Sequence, residues 1–140
     1  MAATPYKLEI LTPDGLVYSG EVEFVSTRTE SGSIGIYARH QPLLALLAPG
    51  ELRITEPGGE IKHLAQGEGY VQIAPERVLL LVEEAFESSE LDIKALKKRV
   101  KAAQERLEAA EPGSEDAKHA ERDERRAAAF LAVAEAGAPA

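Results

Sequence analysis

The spacing of apolar residues in this chain changes once, between Phe86 and Ser89, and that change limits what the chain can become. Before it, apolar and polar positions alternate, as in Tyr6, Leu8 and Ile10 around Lys7 and Glu9, or in Glu51-Leu52-Arg53-Ile54-Thr55. A period of two is that of a half-buried strand. After it, Ile93, Leu96, Val100, Ala103, Leu107 and Ala110 recur at alternate spacings of three and four, which places them in one seam along a helix. Strands first and helices second make an α+β chain.

The strand region is cut into short pieces by turn chemistry at Thr12-Pro13-Asp14-Gly15, Gly20, Glu30-Ser31-Gly32, Ala48-Pro49-Gly50, Pro57-Gly58-Gly59, Gly67-Glu68-Gly69 and Pro75-Glu76-Arg77. Many short strands at close spacing predict an antiparallel β-sandwich around one core. The unbroken run Val78-Leu79-Leu80-Leu81-Val82 predicts a strand buried on both faces. Between two such strands lies Gly32 to Leu44, where two glycines allow tight turns around Ile34 and Pro42 cannot donate a ladder hydrogen bond. That passage is a sharply specified corner, which by itself reads simply as a turn in a sandwich.

In the second part, Ser88 and Ser89 are candidate N-caps, and Ser89 with Asp92 resembles a capping box. Glu111-Pro112-Gly113-Ser114 stops the first helix, and Ser114 is placed to cap a second. The second seam runs through Ala117, Ala120, Ala127, Leu131 and Ala134, with an interruption at Glu124, and ends at Gly137 and Pro139. A short link between two amphipathic helices predicts an antiparallel hairpin. The expected domains are therefore a sandwich over residues 1–87 and a helical hairpin over residues 88–140. A buried methyl contributes only about 0.8 kcal/mol, so a seam made mostly of alanine holds a hairpin weakly. Such a hairpin needs a partner surface, or it moves.

Charge follows the same boundary. Through Ser88 there are 6 Lys and Arg against 13 Asp and Glu, and beyond it 10 against 11, within a net charge of −8. So negative a chain is a poor match to nucleic acid, whose phosphates require a basic face, or to anionic lipid. With no cysteine, disulfides, thiol nucleophiles and thiolate metal sites are excluded. Neither an apolar signal core at the N-terminus nor an apolar run near the ~20 residues of a membrane helix occurs, so a soluble, intracellular chain without direct membrane insertion is expected.

No catalytic constellation is legible. His40, His63 and His119 fall in a corner, a strand and a helix without ligand spacing. Neither a Gly-x-Ser-x-Gly elbow nor a phosphate-cradling Gly-x-x-x-x-Gly-Lys occurs. Acidic neighbours such as Glu83-Glu84 and Asp123-Glu124 read as solvated, so no catalytic, cofactor or metal residue is expected. What remains is a basic first helix bearing Lys94, Lys97, Lys98, Arg99, Lys101 and Arg106. It is either a solvated face balanced by the acids of the second helix or a dock for an acidic partner.

The corner Gly32-Ser33-Ile34-Gly35-Ile36-Tyr37-Ala38-Arg39-His40-Gln41-Pro42-Leu43-Leu44, followed by Pro49-Gly50-Glu51-Leu52-Arg53-Ile54, closely resembles the signature of the epsilon subunits of bacterial F-type ATP synthases. That signature reads Gly-x-Leu-Gly-Ile-Leu-Pro-Gly-His-Ala-Pro-Leu-Leu and then Pro-Gly-x-Leu-x-Ile. Glu68-Gly69-Tyr70-Val71-Gln72-Ile73 resembles the family's Gly-Gly-Phe-x-Glu-Val strand, and Val78 to Asp92 its last strand and linker. Ala38 and Arg39 stand where the family has Pro-Gly, and Gln41 where it has Ala. The resemblance implies a non-catalytic rotor subunit at the cytoplasmic face of the cell membrane, resting on the gamma subunit and on the c-ring. It implies a hairpin that lies on the sandwich or extends to meet the acidic lever of a beta subunit within the alpha–beta ring, blocking ATP hydrolysis. By motif position Ser33 falls near the c-ring and His40, Gln41, Pro42 and Leu43 near gamma, while the charge of the first helix makes Lys97, Lys98 and Lys101 the candidates to meet the acidic lever. Some members bind ATP through Ile/Leu-Asp-x-x-Arg-Ala; here Leu91-Asp92 is kept, but Ala95 takes the arginine's place, so no ATP cofactor is expected. A stand-alone ligand-responsive sensor or adaptor with the same architecture is the alternative.

Overall fold

A computed structural model describes residues 4–137; Met1 to Ala3 and the helix stop expected at Pro139 lie outside them. The strands are β1 (Tyr6–Thr12), β2 (Gly15–Val22), β3 (Phe24–Thr29), β4 (Gly32–Ile36), β5 (Leu43–Leu47), β6 (Gly50–Thr55), β7 (Ile61–Gln66), β8 (Gly69–Ala74), β9 (Arg77–Val82) and β10 (Ala85–Glu87). A single 3-10 turn, Ser88–Glu90, leads into α1 (Ile93–Ala109) and α2 (Glu115–Ala136). The α+β architecture of a β-sandwich followed by a two-helix hairpin is the one the change of period predicts.

The strands hydrogen-bond in the order β10-β7-β6-β3-β5-β8-β9-β1-β2, with β4 paired to β3. All ladders are antiparallel except one: β1 runs parallel to β9, Leu8 beside Val78 and Ile10 beside Leu80. Alternation sets which residues fill the core. Leu8, Ile10, Val22, Val25, Ile36, Leu52, Ile54, Val71 and Leu80 are fully buried, so the core is aliphatic, as a chain with 5% aromatic residues must build it. Two polar side chains enter it with partners. The Tyr6 hydroxyl donates to the Ile36 carbonyl at 2.6 Å. Gln66 donates to the carbonyls of Arg28 (3.2 Å) and Ala48 (3.0 Å) and accepts from the Thr27 hydroxyl, as a fully buried amide must.

Three local expectations are corrected. The strand Val78–Val82 is not buried on both faces: Val78, Leu80 and Val82 point inward, while Leu81 is 45% exposed and Leu79 partly so. The cap of α1 is Asp92, whose Oδ1 accepts from the Ala95 amide at 3.2 Å, and not Ser88 or Ser89. The capping box lies one turn earlier, between Glu87 and Glu90 around the 3-10 turn. Ser114 caps α2 as expected, accepting from the Ala117 amide at 3.1 Å.

The third correction concerns α2. Four of its six buried residues are alanines, as expected, but Phe130, missing from that seam, is the largest fully buried side chain among the described residues. Ala117, Ala120 and Ala127 are buried as expected, but Phe130, Val133 and Ala134 join Ala65 of β7 and Leu96 of α1 in a second apolar cluster beside the main core. Phe86, Leu91, Ile93 and Leu131 complete it from partly buried positions. The partner surface that a weak seam needs is the sandwich itself.

Candidate functional site

Two surfaces stand out. One is an apolar face on the sheet that the hairpin does not use. Strand register puts Leu46, Tyr70 and Leu81 directly opposite one another across β5, β8 and β9, and continues the row through Leu11 on β1 to Leu16 on β2. Their neighbours Ala45, Val71 and Leu80 point into the core, so this row points out. Leu46 is 53% exposed, Tyr70 51% and Leu16 59%, with Leu44 beside them at 68%. Scattered exposed leucines need no explanation, but a continuous row across five strands marks a contact surface.

The corner predicted from sequence borders this face. Gly35 lies under the Phe24 ring, where a Cβ would come within 3.0 Å, and Tyr37 packs on the same ring with centroids 4.4 Å apart. The chain then turns with Arg39 at φ +62°, a left-handed conformation in which glycine is at ease and arginine is not. His40 Nδ1 donates to the Gln41 carbonyl at 2.8 Å, and Gln41 and Pro42 are exposed. Leu43 begins β5 on its inward-facing register and is 39% exposed at the strand end, so the outward apolar residue beside the corner is Leu44. Ser33 is exposed on β4 opposite Arg28, at the other end of that strand from His40. The predicted residues therefore fall in two places, not one.

The second surface is the hairpin. The predicted Lys97, Lys98 and Lys101 are exposed on α1, and among the described residues they make no ion pair. The two arginines of α1 are used internally. Arg106 pairs with Asp123 of α2 at 2.5 Å, and Arg99 donates to Glu84 at 2.5 Å. Glu84, in the turn before β10, also accepts from Arg126 of α2 at 2.7 Å, and Arg126 in turn holds Glu68 in the β7–β8 turn. Burial alone would raise the pKa of Glu84, but the hydrogen bonds from Arg99 and Arg126 outweigh it and hold the carboxyl below the usual carboxylate range. Burial likewise opposes the charge of Arg126, and Glu68 and Glu84 more than restore it. At the rim Arg125 forms a bidentate pair with Glu30 of the β3–β4 turn, both oxygens at 3.1 Å. Sequence reasoning missed Arg99, Arg126, Glu68 and Glu84 as a group because they come from four separate segments.

Neither surface holds an enzyme-like site, and among the described residues no group of three or more His, Asp or Glu is placed to hold a metal ion. No described helix is long and apolar enough to cross a membrane.

Residues 5–88 match the family described as "ATP synthase, Delta/Epsilon chain, beta-sandwich domain". The ATP synthase epsilon chain of Persephonella marina is 43% identical over 93 residues, covering 66% of this chain and 68% of that protein. That of Dichelobacter nodosus is 34% identical over 96 residues, covering 69% and 67%. In fold, a chain of the Euglena gracilis mitochondrial ATP synthase (OSCP/F1/c-ring) superposes with a TM-score of 0.77 over 94% of this chain and 81% of its own, at 22% identity. A chain of the Tetrahymena thermophila mitochondrial ATP synthase central stalk/c-ring does so with 0.60 over 96% and 99%, at 19% identity. The sandwich that carries the apolar face is the part these relatives share, and the chain belongs to the ATP synthase delta/epsilon family.

Proposed function

We propose that the chain is a non-catalytic central-stalk subunit of an F-type ATP synthase at the cytoplasmic face of the cell membrane, linking c-ring rotation to ATP synthesis through gamma. The observation that carries this reading is the row Leu16, Leu11, Leu81, Tyr70 and Leu46. The sequence gives β9 the apolar character of a strand covered on both sides, yet the chain alone covers only one. In a family of stalk subunits the missing cover is the gamma subunit, with His40, Gln41, Pro42 and Leu43 at the margin of that contact. Ser33, at the far end of β4, is the residue offered to the c-ring.

The hairpin supplies the regulatory half. Docked, it leaves Lys97, Lys98 and Lys101 free on α1; extended, the same lysines meet an acidic segment of a beta subunit in the alpha–beta ring and restrain hydrolysis. ATP binding at Leu91-Asp92 is weak or absent. In support, Ala95 has no donor fork, and the Asp92 carboxylate is already engaged in capping α1.

The test is the ATPase activity of a reconstituted alpha–beta–gamma complex with the full chain and with a version ending at Ser88. The main core is built entirely from sandwich residues, so the shorter version retains it. The full chain suppresses hydrolysis, and the shorter one binds gamma without suppressing it. Binding of both without suppression removes the inhibitory role. Failure of both to bind gamma removes the stalk assignment and leaves a stand-alone sensor.

A further inference from the structure

The hairpin meets the sandwich through one apolar cluster and one charged cluster, and the two behave differently. Phe130, Val133 and Ala134 pack on Ala65, with Phe86 edge-on to Phe130 at 6.0 Å between ring centroids. Such contact is graded: burial is favourable in proportion to the area covered, and it tolerates sliding. The charged cluster is not graded. Arg99, Arg126, Glu68 and Glu84 come from α1, α2, the β7–β8 turn and the turn before β10, and their four charges sum to zero. The Arg126 side chain is only 14% exposed.

A complete buried ion cluster adds little net attraction, because desolvation offsets the Coulombic gain. Taking away Arg126 leaves Glu68 charged, partly shielded from water and without its partner, and taking away Glu84 does the same to Arg99, which costs more than the complete cluster gains. The Arg126 Nε–H already lies buried without an acceptor, so the docked state carries a small penalty that water would relieve on release. The contacts between α1 and α2 need nothing from the sandwich: Ala103, Ala117, Ala120 and Ala127 are buried between the helices, and Arg106 pairs with Asp123 across them.

We propose that the Arg126–Glu84–Arg99–Glu68 cluster is an electrostatic latch that sets the hairpin's docked register, and that breaking its charge balance frees the hairpin as an intact helical unit. The proposal deepens the mobile-hairpin reading above by naming the contact that controls it. Docking is then close to all-or-none, since a hairpin shifted by one turn would keep much of its apolar contact and lose the whole charge match.

The chain has no cysteine, so two introduced at exposed positions, Glu76→Cys and Glu111→Cys, can carry a fluorescence donor and acceptor on the isolated full chain. With the latch intact, the distance between them is single-valued and narrowly distributed. Arg126→Met and, separately, Glu84→Gln lower the docked-to-undocked ratio at least tenfold while the helical circular dichroism and the thermal transition of the sandwich persist. Arg125→Met, which removes only the exposed pair with Glu30, leaves the distance unchanged. If both latch variants keep the native distance, Phe130 packing suffices and the latch is wrong. If helical signal disappears with docking, release as a unit is wrong, and a broad distance in the unmutated chain overturns the proposal at its base. None of these outcomes depends on whether the hairpin inhibits hydrolysis, which only the reconstituted complex reports.

Discussion

Gly69 of β8 faces Val82 of β9 so closely that a Cβ on it would lie 2.7 Å from the Val82 Cα and overlap the Leu81 carbonyl oxygen. The conflict is with backbone, which cannot swing aside as a side chain can. Gly69→Ala should destabilise the sandwich by about 3 kcal/mol, the upper range for overpacking. A chemical-denaturation midpoint within error of the native chain would refute this close approach.

Arg39 gives a prediction that separates two substitutions. Its left-handed backbone (φ +62°) costs a non-glycine residue about 1 kcal/mol, and Gly returns a comparable amount through unfolded-state entropy, about 0.4–1 kcal/mol. Arg39→Gly should therefore leave stability within about 1 kcal/mol, whereas Arg39→Val should lose about 1–3 kcal/mol. Thermal unfolding of the two variants side by side decides the matter, and equal losses would mean that the turn relaxes.

The apolar face predicts a separation of folding from binding. Tyr70 is half exposed in the middle of the row, so Tyr70→Ala should cost little in the isolated chain. As a central aromatic anchor it should cost about 2 kcal/mol in affinity for gamma, roughly a 30-fold rise in Kd. Calorimetry of native and variant chains against gamma measures this, and an unchanged Kd would move the gamma contact off this face.

On α1, Lys97, Lys98 and Lys101 are unpaired and exposed in the docked hairpin. Reversing all three to Glu should raise ATP hydrolysis of the assembled enzyme without affecting assembly. Unchanged hydrolysis would make this face solvated and nothing more.

Acid should act through the carboxylates paired with the hairpin's arginines. Glu84 and Asp123 are both held below the usual range: burial opposes this, and their arginine partners outweigh it. Groups with lowered pKa stabilise the fold above their ordinary value, and that stability disappears as pH falls through the lowered one. From these groups the melting temperature should be flat between pH 8 and 5 and fall below about pH 4. In Glu84→Gln that decline should be shallower, and a decline just as steep would place the acid sensitivity elsewhere.

How much of this was legible in the sequence differs between the two halves. Strand alternation and turn residues are local, so most strands fall close to where their pattern predicts; the exceptions are β2, which runs through the bend expected at Gly20, and β4, which lies inside the expected corner, while the hairpin follows from spacings of three and four. Phe130 was missed because α2 faces two partners. The expected seam names Leu131 and Ala134 but leaves out Phe130 and Val133, which share one cluster with Ala65 of the sandwich and Leu96 of α1 that no single period within α2 encodes. The run Val78–Val82 was read as doubly buried because sequence records that an apolar face needs cover without recording which molecule supplies it.

By itself the sequence determined the order of strands before helices, the inward face of alternating strands such as β1 and β6, and the cap at Ser114, all of which depend on neighbours a few residues away. Only the tertiary structure decided that β1 would lie parallel to β9, that five strands would align their outward leucines and Tyr70 in one row, and that Arg99 and Arg126 would converge on Glu84. These relationships join residues up to 70 positions apart in the chain, and their energy exists only once packing has brought the segments together and excluded the water between them.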